Sequence, residues 1–453
     1  MSERRARYSP WMPGQATSTA LLGVIGAGLS LDQHPAHTLW AQVERAAGGR
    51  IPPPAPAGSL ARCRAQAELF RAAALRGALR HWPADGDAPA EFVESYPLPT
   101  MAFAPSTPRD TSTLGGWAGA HNARLRRALR CGAGMPFHDI VQRTPVQVTT
   151  NNDFLWHQIF DSFDQADDLN SLLLWAEEGY AIRSELDSWQ NERNEPLESI
   201  LSRGKAASDW SDCFCALLLA RSASAEWLRE LSMHVHDASR VTRLANGSSA
   251  RTAHAFGGLT GGRVHTAQYI FPSPTSSIKT AHVPEPWSKV QVAQYDGMPV
   301  LAWVYRPQLA SYLGGDQKLL PAQSRVERLT ASIRAAVDVL LQGKVPARIL
   351  FDTGTGEGRE QRKALLVQAV KAALPACDLF NVKVGYDLCE RLGDTGAASA
   401  FVGLGLASLA AWETGATALV IGARRNDGAT VLALQPMTAA YRALFKKRPY
   451  EAT

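Results

Sequence analysis

Two carboxylates stand in glycine-rich turns, each just ahead of a helix-like run. Asp352 lies in Phe351-Asp352-Thr353-Gly354-Thr355-Gly356-Glu357, and Asp394 in Leu392-Gly393-Asp394-Thr395-Gly396-Ala397-Ala398-Ser399-Ala400. A pair of acidic groups so placed could exchange protons with a substrate or ligate a metal. Each could instead cap its own turn, accepting from the backbone as Asp commonly does. The capping reading is preferred, because no His or Cys stands at ligand spacing beside either one. The glycines permit a tight turn, and the small residues after Gly396 let a helix approach other backbone closely.

Other constellations carry less. Gly354-Thr355-Gly356-Glu357-Gly358 has neither the Lys-Ser/Thr of a phosphate loop nor the glycine spacing of a dinucleotide fingerprint. His234 and His236 would share one face of a strand but diverge on a helix end, where a capping or solvated role is expected. Asp32 with His34 and His37 could form a dyad only if geometry brought them together. The six cysteines, at 63, 131, 213, 215, 377 and 389, include no zinc-type spacing, and no metal or cofactor is expected. Cys213 and Cys215 alternate in an apolar run and should leave one face of a strand as small buried side chains. Such cysteines fit a reducing cytoplasm.

The elements that must position these turns follow from pattern. At 453 residues, 45% hydrophobic and 20% charged, the chain has the composition of a soluble globular protein with room for two or three domains. Its net charge of +5 is spread along the chain, with Arg124–Arg127 and Lys446–Arg448 the densest clusters, so solvated charge is preferred to a nucleic-acid site. Arg4, Arg5 and Arg7 precede the apolar run Ala20–Leu31, yet Pro10, Pro13 and Gly14 intervene and Asp32-Gln33-His34-Pro35 follows. The run is read as a buried strand, with an export signal to the periplasm as the less favoured alternative. No uninterrupted apolar stretch reaches membrane-spanning length.

Strands are expected over Leu21–Leu31, Met101–Ala104, Val146–Thr150, Ser171–Ala176, Phe214–Ala220, Val300–Tyr305 and Arg348–Phe351. A closing hairpin, Ala418–Gly422 with Thr430–Leu434, turns at Asp427-Gly428. Helices are expected over Ala36–Ala47, Leu60–Arg80, Leu125–Leu129, Phe154–Phe163, Ala223–Leu231, Gln323–Leu341, Arg359–Ala373 and Gly396–Trp412. Strands alternating with helices predict an α/β fold with buried, largely parallel sheets. Residues 184–212 form a polar insertion, and 237–290 are rich in Gly, Ser, Thr and Pro. The chain therefore divides into an N-terminal half (1–236), a crossover or linker (237–290) and a C-terminal half (291–453), with similar element order in the two halves.

Two family resemblances enter here. Asp352-Thr353-Gly354-Thr355 after a strand looks like the HGTGT turn of β-ketoacyl synthases, and Gly393-Asp394-Thr395-Gly396-Ala397-Ala398 looks like their GHTGAA turn. The resemblance implies a thiolase-like pseudo-dimer of two βα halves. It also implies an acyl-transfer centre of one Cys and two His, and here Asn151, Thr353 and Asp394 stand near or at those places. A closer resemblance is to the type VI secretion lipase adapter family. It rests on Leu21–Asp32, Tyr96-Pro97-Leu98-Pro99, Ser171–Glu178, Ile349–Gly354 and, most specifically, Gly385–Phe401. It implies a non-catalytic adapter or chaperone that binds a lipase effector and helps load it on the spike (valine-glycine repeat) protein of a bacterial secretion machine. The alternatives are a condensing or acyl-transfer enzyme and an acyl-ligand binder of the same class. For a large folded partner, the expected anchors are Trp189, Arg193 and Trp210 in the first insertion and Tyr269, Phe271 and Trp287 in or near the second.

Overall fold

The computed structural model describes residues 20–31, 34–46, 49–51, 60–82, 98–104, 140–142, 147–148, 155–165, 171–179, 211–221 and 289–450. Among these, thirteen strands join in one sheet. The N-terminal set is β1 (Leu21–Leu31), β2 (His34–Pro35), β3 (Leu98–Ala104), β4 (Ile140–Gln142), β5 (Gln147–Val148), β6 (Ser171–Glu178) and β7 (Cys213–Ala220). The C-terminal set is β8 (Ala302–Tyr305), β9 (Gln308–Ser311), β10 (Arg348–Asp352), β11 (Gly385–Asp387), β12 (Ala418–Gly422) and β13 (Gly428–Pro436). The helices are α1 (Ala36–Arg45), α2 (Leu60–Ala78), α3 (Leu155–Gln165), α4 (Lys289–Asp296), α5 (Ala322–Arg334), α6 (Arg359–Ala373), α7 (Leu388–Leu392), α8 (Ser399–Thr414) and α9 (Ala439–Arg442). A wider π-type segment, Ala335–Leu340, extends α5.

The strand order is β11-β10-β12-β13-β8-β1-β7-β6-β3-β4. Outward from the central β8–β1 pair, one side runs β8, β13, β12, β10, β11 and the other β1, β7, β6, β3, β4. Both sides pass through two antiparallel ladders and then two parallel ones. Leaving aside the short strands β2, β5 and β9, each half places its first, fifth, fourth, second and third strands in that spatial sequence. The pseudo-dimer expected from element order is therefore the observed architecture, α/β in class. Its parallel ladders are confined to the flanks, and the two halves share one continuous mixed sheet rather than forming separate ones. One of the inner antiparallel ladders has a local cause: β12 and β13 are joined by a short turn that only an antiparallel pair can close.

Side chains of the strands alternate between two cores. Leu350, Ala418, Val420, Leu432 and Leu434 enter one apolar cluster, while Ile349, Phe351, Leu419, Ile421, Val431 and Ala433 enter the other with α5 and α6. The first cluster surrounds α8, whose residues Ser399 to Trp412 are all buried. Phe401 of α8 meets two rings from the other half, Phe103 at 4.6 Å and Trp156 at 5.0 Å between centroids. The segment Gly396–Thr414 is long and apolar enough to cross a bilayer, but 94% of its apolar window lies inside the protein. On the opposite face of β1, α2 packs at backbone distance: a Cβ on Gly28 would lie 1.6 Å from the Ala74 carbonyl oxygen. Only glycine fits there.

Most of the predicted elements that lie on described residues form, several with the expected ends. Arg359–Ala373 and Ala418–Gly422 match in full. The helices predicted over Leu125–Leu129 and Ala223–Leu231 lie outside the described residues, as do insertion 184–210 and nearly all of the 237–290 stretch.

Candidate functional site

The parallel strands β10, β11 and β12 end together, and their carboxyl ends carry the polar cluster, where open α/β sheets commonly place functional groups. Asp352 is the last residue of β10, and Asp394 follows α7. Both begin an Asp-Thr-Gly turn, and both turns close alike. Gly354 N donates to Asp352 Oδ1 at 2.6 Å, and Gly396 N donates to Asp394 Oδ1 at 2.9 Å. Gly354 and Gly396 have φ of 70° and 48°, in the left-handed region that favours glycine. The capping role predicted for the two carboxylates is present at both.

A cation joins the two turns. Arg424, just beyond β12, puts Nη1 2.8 Å from Asp352 Oδ2 and Nη2 2.8 Å from Asp394 Oδ1. The register that pairs Asp352 with Gly422 brings it there. Ser399 at the head of α8 donates to Asp352 Oδ2, Cys389 Sγ lies 3.0 Å from Asp352 Oδ1, and Thr355 Oγ1 donates to Asp394 Oδ2 at 2.7 Å. Glu178, at the end of β6 in the other half, accepts from Gly179 N and Ala397 N, each at 3.1 Å. Its carboxylate occupies the N-terminus of the buried helical run, where the dipole favours negative charge. Ser211 N donates to the Asp394 carbonyl at 3.2 Å, so both halves hold the second turn.

Burial by itself pushes the Asp352 carboxyl up. The Arg424 charge and the bonds from Ser399, Cys389 and Gly354 outweigh it, holding the group below the ordinary carboxylate range. Burial opposes the Arg424 charge, but Asp352 and Asp394 hold its guanidinium firmly protonated. Burial and then the Asp352 charge push the Cys389 thiol far up, away from a reactive thiolate.

All four oxygens of Asp352 and Asp394 have partners within the chain. Among the described residues Asp352 thus accepts four such contacts and Asp394 three. Among the described residues no cluster of three or more His, Cys, Asp or Glu could hold a metal. Beside Asp352 and Ser399 lies a cavity of only about 10 Å³, bordered by Trp156 and Leu388, the threshold size for a single water. The Thr353 and Thr395 hydroxyls are buried without a hydrogen bond among the described residues. The arrangement locks two turns and the head of a helix together.

The family description "Type VI lipase adapter protein Tla3, N-terminal" matches residues 64–196, and its C-terminal counterpart matches residues 301–436. The chain belongs to the Tla3 type VI lipase adapter family. Among solved structures, this Tla3-family chain is similar in outline to the ketosynthase from module 1 of the bacillaene synthase of Bacillus amyloliquefaciens FZB42. Identity is 8% over 94% of this chain and 74% of that one, with a TM-score of 0.47. It is also similar to the ishigamide ketosynthase/chain length factor, at 15% identity over 92% of this chain and 100% of that one, with a TM-score of 0.42.

Of the residues singled out in the sequence of this Tla3-family member, Asp352, Thr353 and Asp394 come together at one site. Asn151 lies outside the described residues, as do Trp189, Arg193, Trp210, Tyr269, Phe271 and Trp287, and likewise Asp32, His234 and His236. Sequence reasoning missed Arg424, Glu178, Ser399 and the approach of Cys389. The one available signal was a cationic residue two positions past the end of a buried strand.

Proposed function

We propose that this chain is a non-catalytic adapter that binds a type VI lipase effector and helps load it on the spike protein, acting in the bacterial cytoplasm. The observation that carries the reading is the family match in both halves of the chain. The Asp352–Arg424–Asp394 cluster supports it, since both carboxylates are engaged within the chain. Thr353 and Asp394, with Asn151, are read as positions where the resembled enzymes carry their catalytic groups. The division into halves 1–236 and 291–453 about a 237–290 connection belongs to the same proposal. The effector contact is assigned to the two polar insertions, with Trp189, Arg193, Trp210, Tyr269, Phe271 and Trp287 as anchors.

The test has two arms. Purified chain and purified type VI lipase of the same bacterium should co-elute on size exclusion as a stoichiometric complex, and the spike protein should join it. Incubation with acyl thioesters should leave the intact mass unchanged. Failure to form the complex, or a stable acyl adduct on any residue, refutes the reading.

A further inference from the structure

A second concave site lies on the outer face of the C-terminal half, between α5, α6 and the β12–β13 turn. Its volume is about 450 Å³, within the range of natural ligand sites and far larger than one small anion fills. Its lining is basic: Arg325 from α5, Arg362 from α6 and Arg425 from the turn, with the Tyr312 ring after β9 and apolar contributions from Val326 and Leu365. Among the described residues no Asp or Glu lines it.

The three arginines differ in how their charge is met. Arg425 is spent on Asp427. Among the described residues Arg362 donates only to neutral acceptors: the Thr353 carbonyl at 2.8 Å, the Glu357 carbonyl at 3.1 Å and Asn426 Oδ1 at 3.2 Å. Burial and then the neighbouring Arg424 charge work against its protonation, while the Asp352 charge favours it. Arg325 has no carboxylate partner among the described residues, and its buried Nε carries no hydrogen bond. Tyr312 is 3% exposed, and its hydroxyl is also buried without a hydrogen bond among the described residues. Arg325 and Tyr312 line the same groove. Buried donors left unmet are rare and costly, and a site that presents two of them in a basic groove is built for an acceptor.

We propose that this groove binds an acidic peptide segment, seating one of its carboxylates on Arg325 and the Tyr312 hydroxyl. The fork of a guanidinium matches a carboxylate, and the Arg362 charge, met by neutral acceptors, attracts further acidic side chains. The apolar flank of Val326 and Leu365 suits the aliphatic stems of Glu. The proposal deepens the adapter reading by naming a chemistry of partner recognition, and it rests on that reading only for the source of the segment.

The experiment measures binding of a hexaglutamate peptide, carrying a neutral fluorophore, to the full chain at low salt by anisotropy. Wild type should bind. Arg325→Gln should weaken binding about tenfold or more and Tyr312→Phe roughly fivefold, the losses expected of a charged and a neutral donor. Arg328→Gln removes the same charge from an exposed position on the same helix and should stay within about twofold. Matching melting curves exclude misfolding, and a variant that melts early is replaced by Arg325→Lys, which should retain part of the affinity. No peptide binding by wild type, or equal losses for Arg325→Gln and Arg328→Gln, would overturn the proposal. So would inorganic phosphate binding with the same Arg325 dependence and no gain from the peptide. Effector co-elution that survives Arg325→Gln removes the groove from the adapter role without touching the adapter reading itself.

Discussion

Replacing Arg424 by Met isolates what the ion cluster contributes. The substitution keeps most of the side-chain volume and removes the one cation between Asp352 and Asp394, whose side chains are 4% and 1% exposed. Breaking a buried pair on one side costs about 3–5 kcal/mol. The remaining bonds from Gly354, Ser399, Cys389, Gly396 and Thr355 place this case toward the lower figure. Unfolding entropy of about 2.1 cal/mol/K per residue amounts to roughly 1 kcal/mol/K for a chain of this size, so the melting temperature should fall by about 3–5 °C. The pH dependence separates this mechanism from simple loss of packing. In the wild type the folded Asp352 carboxyl is held low, so its contribution is present above the ordinary carboxylate pKa and is lost as pH falls through the lowered folded value. Without Arg424, burial and the facing carboxylate raise the folded pKa instead. The variant should then recover stability relative to wild type between pH 7 and pH 5. Adding Asp352→Asn and Asp394→Asn to Arg424→Met should restore more than half of the loss at pH 7. Denaturant titrations at both pH values give the measurement. A single variant within about 1 kcal/mol of wild type, or a deficit unchanged between pH 7 and pH 5, refutes the reasoning.

Gly396→Val should cost more than about 3 kcal/mol, because φ is 48° and a Cβ would lie 2.4 Å from Glu178; Gly356→Ala, at φ 78° with open space around it, should cost only about 1 kcal/mol, and equal losses in denaturant titration would contradict the packing account. Glu178→Gln keeps the shape at the head of the buried helix but removes the charge, and should lower stability by about 1 kcal/mol, more at low salt than at high if the helix dipole is involved. Cys213, Cys215, Cys377 and Cys389 are buried, with the Cys215 and Cys389 thiols pushed well up by burial, so alkylation of native protein at pH 8 should leave all four unlabelled by peptide mapping and unfolding should expose them. Trp189→Ala with Trp210→Ala should weaken capture of the lipase effector with an unchanged melting curve; full capture would remove that insertion from the interface.

Elements whose burial is uniform along their length were legible in the sequence. β6 and β7 are buried at every position, the apolar runs Leu172–Ala176 and Cys213–Ala220 making up most or all of them, and α8 reads as a helix of small and apolar residues closed by Gly415. Elements that make contact on one side only for a few residues were not visible. β9 is an edge strand with one buried residue in four, β11 is three residues long, and α4 has no apolar face in its sequence. Half of the ion cluster was legible, because an Asp followed two residues later by Gly signals a self-capped turn. The other half was not. Arg424-Arg425 before Asp427-Gly428 reads as a solvated turn, and in fact the two arginines part, Arg425 to Asp427 and Arg424 inward. Only the parallel register of β10 with β12 decides which goes inward, and register between distant strands is set by the whole sheet.

The apolar helix α8 also constrains the order in which the protein can be made. During synthesis the N-terminal half leaves the ribosome first, while the helix that fills its interior, through Phe401 on Phe103 and Trp156 and Gly405 on Leu29, is still to be translated. Until residue 396 and beyond have emerged, that half holds an uncovered hydrophobic groove, and the nascent α8 has the composition of a membrane span. A transcript ending before Gly396 would therefore yield not a smaller adapter but a sticky fragment, prone to aggregation and to capture by chaperones.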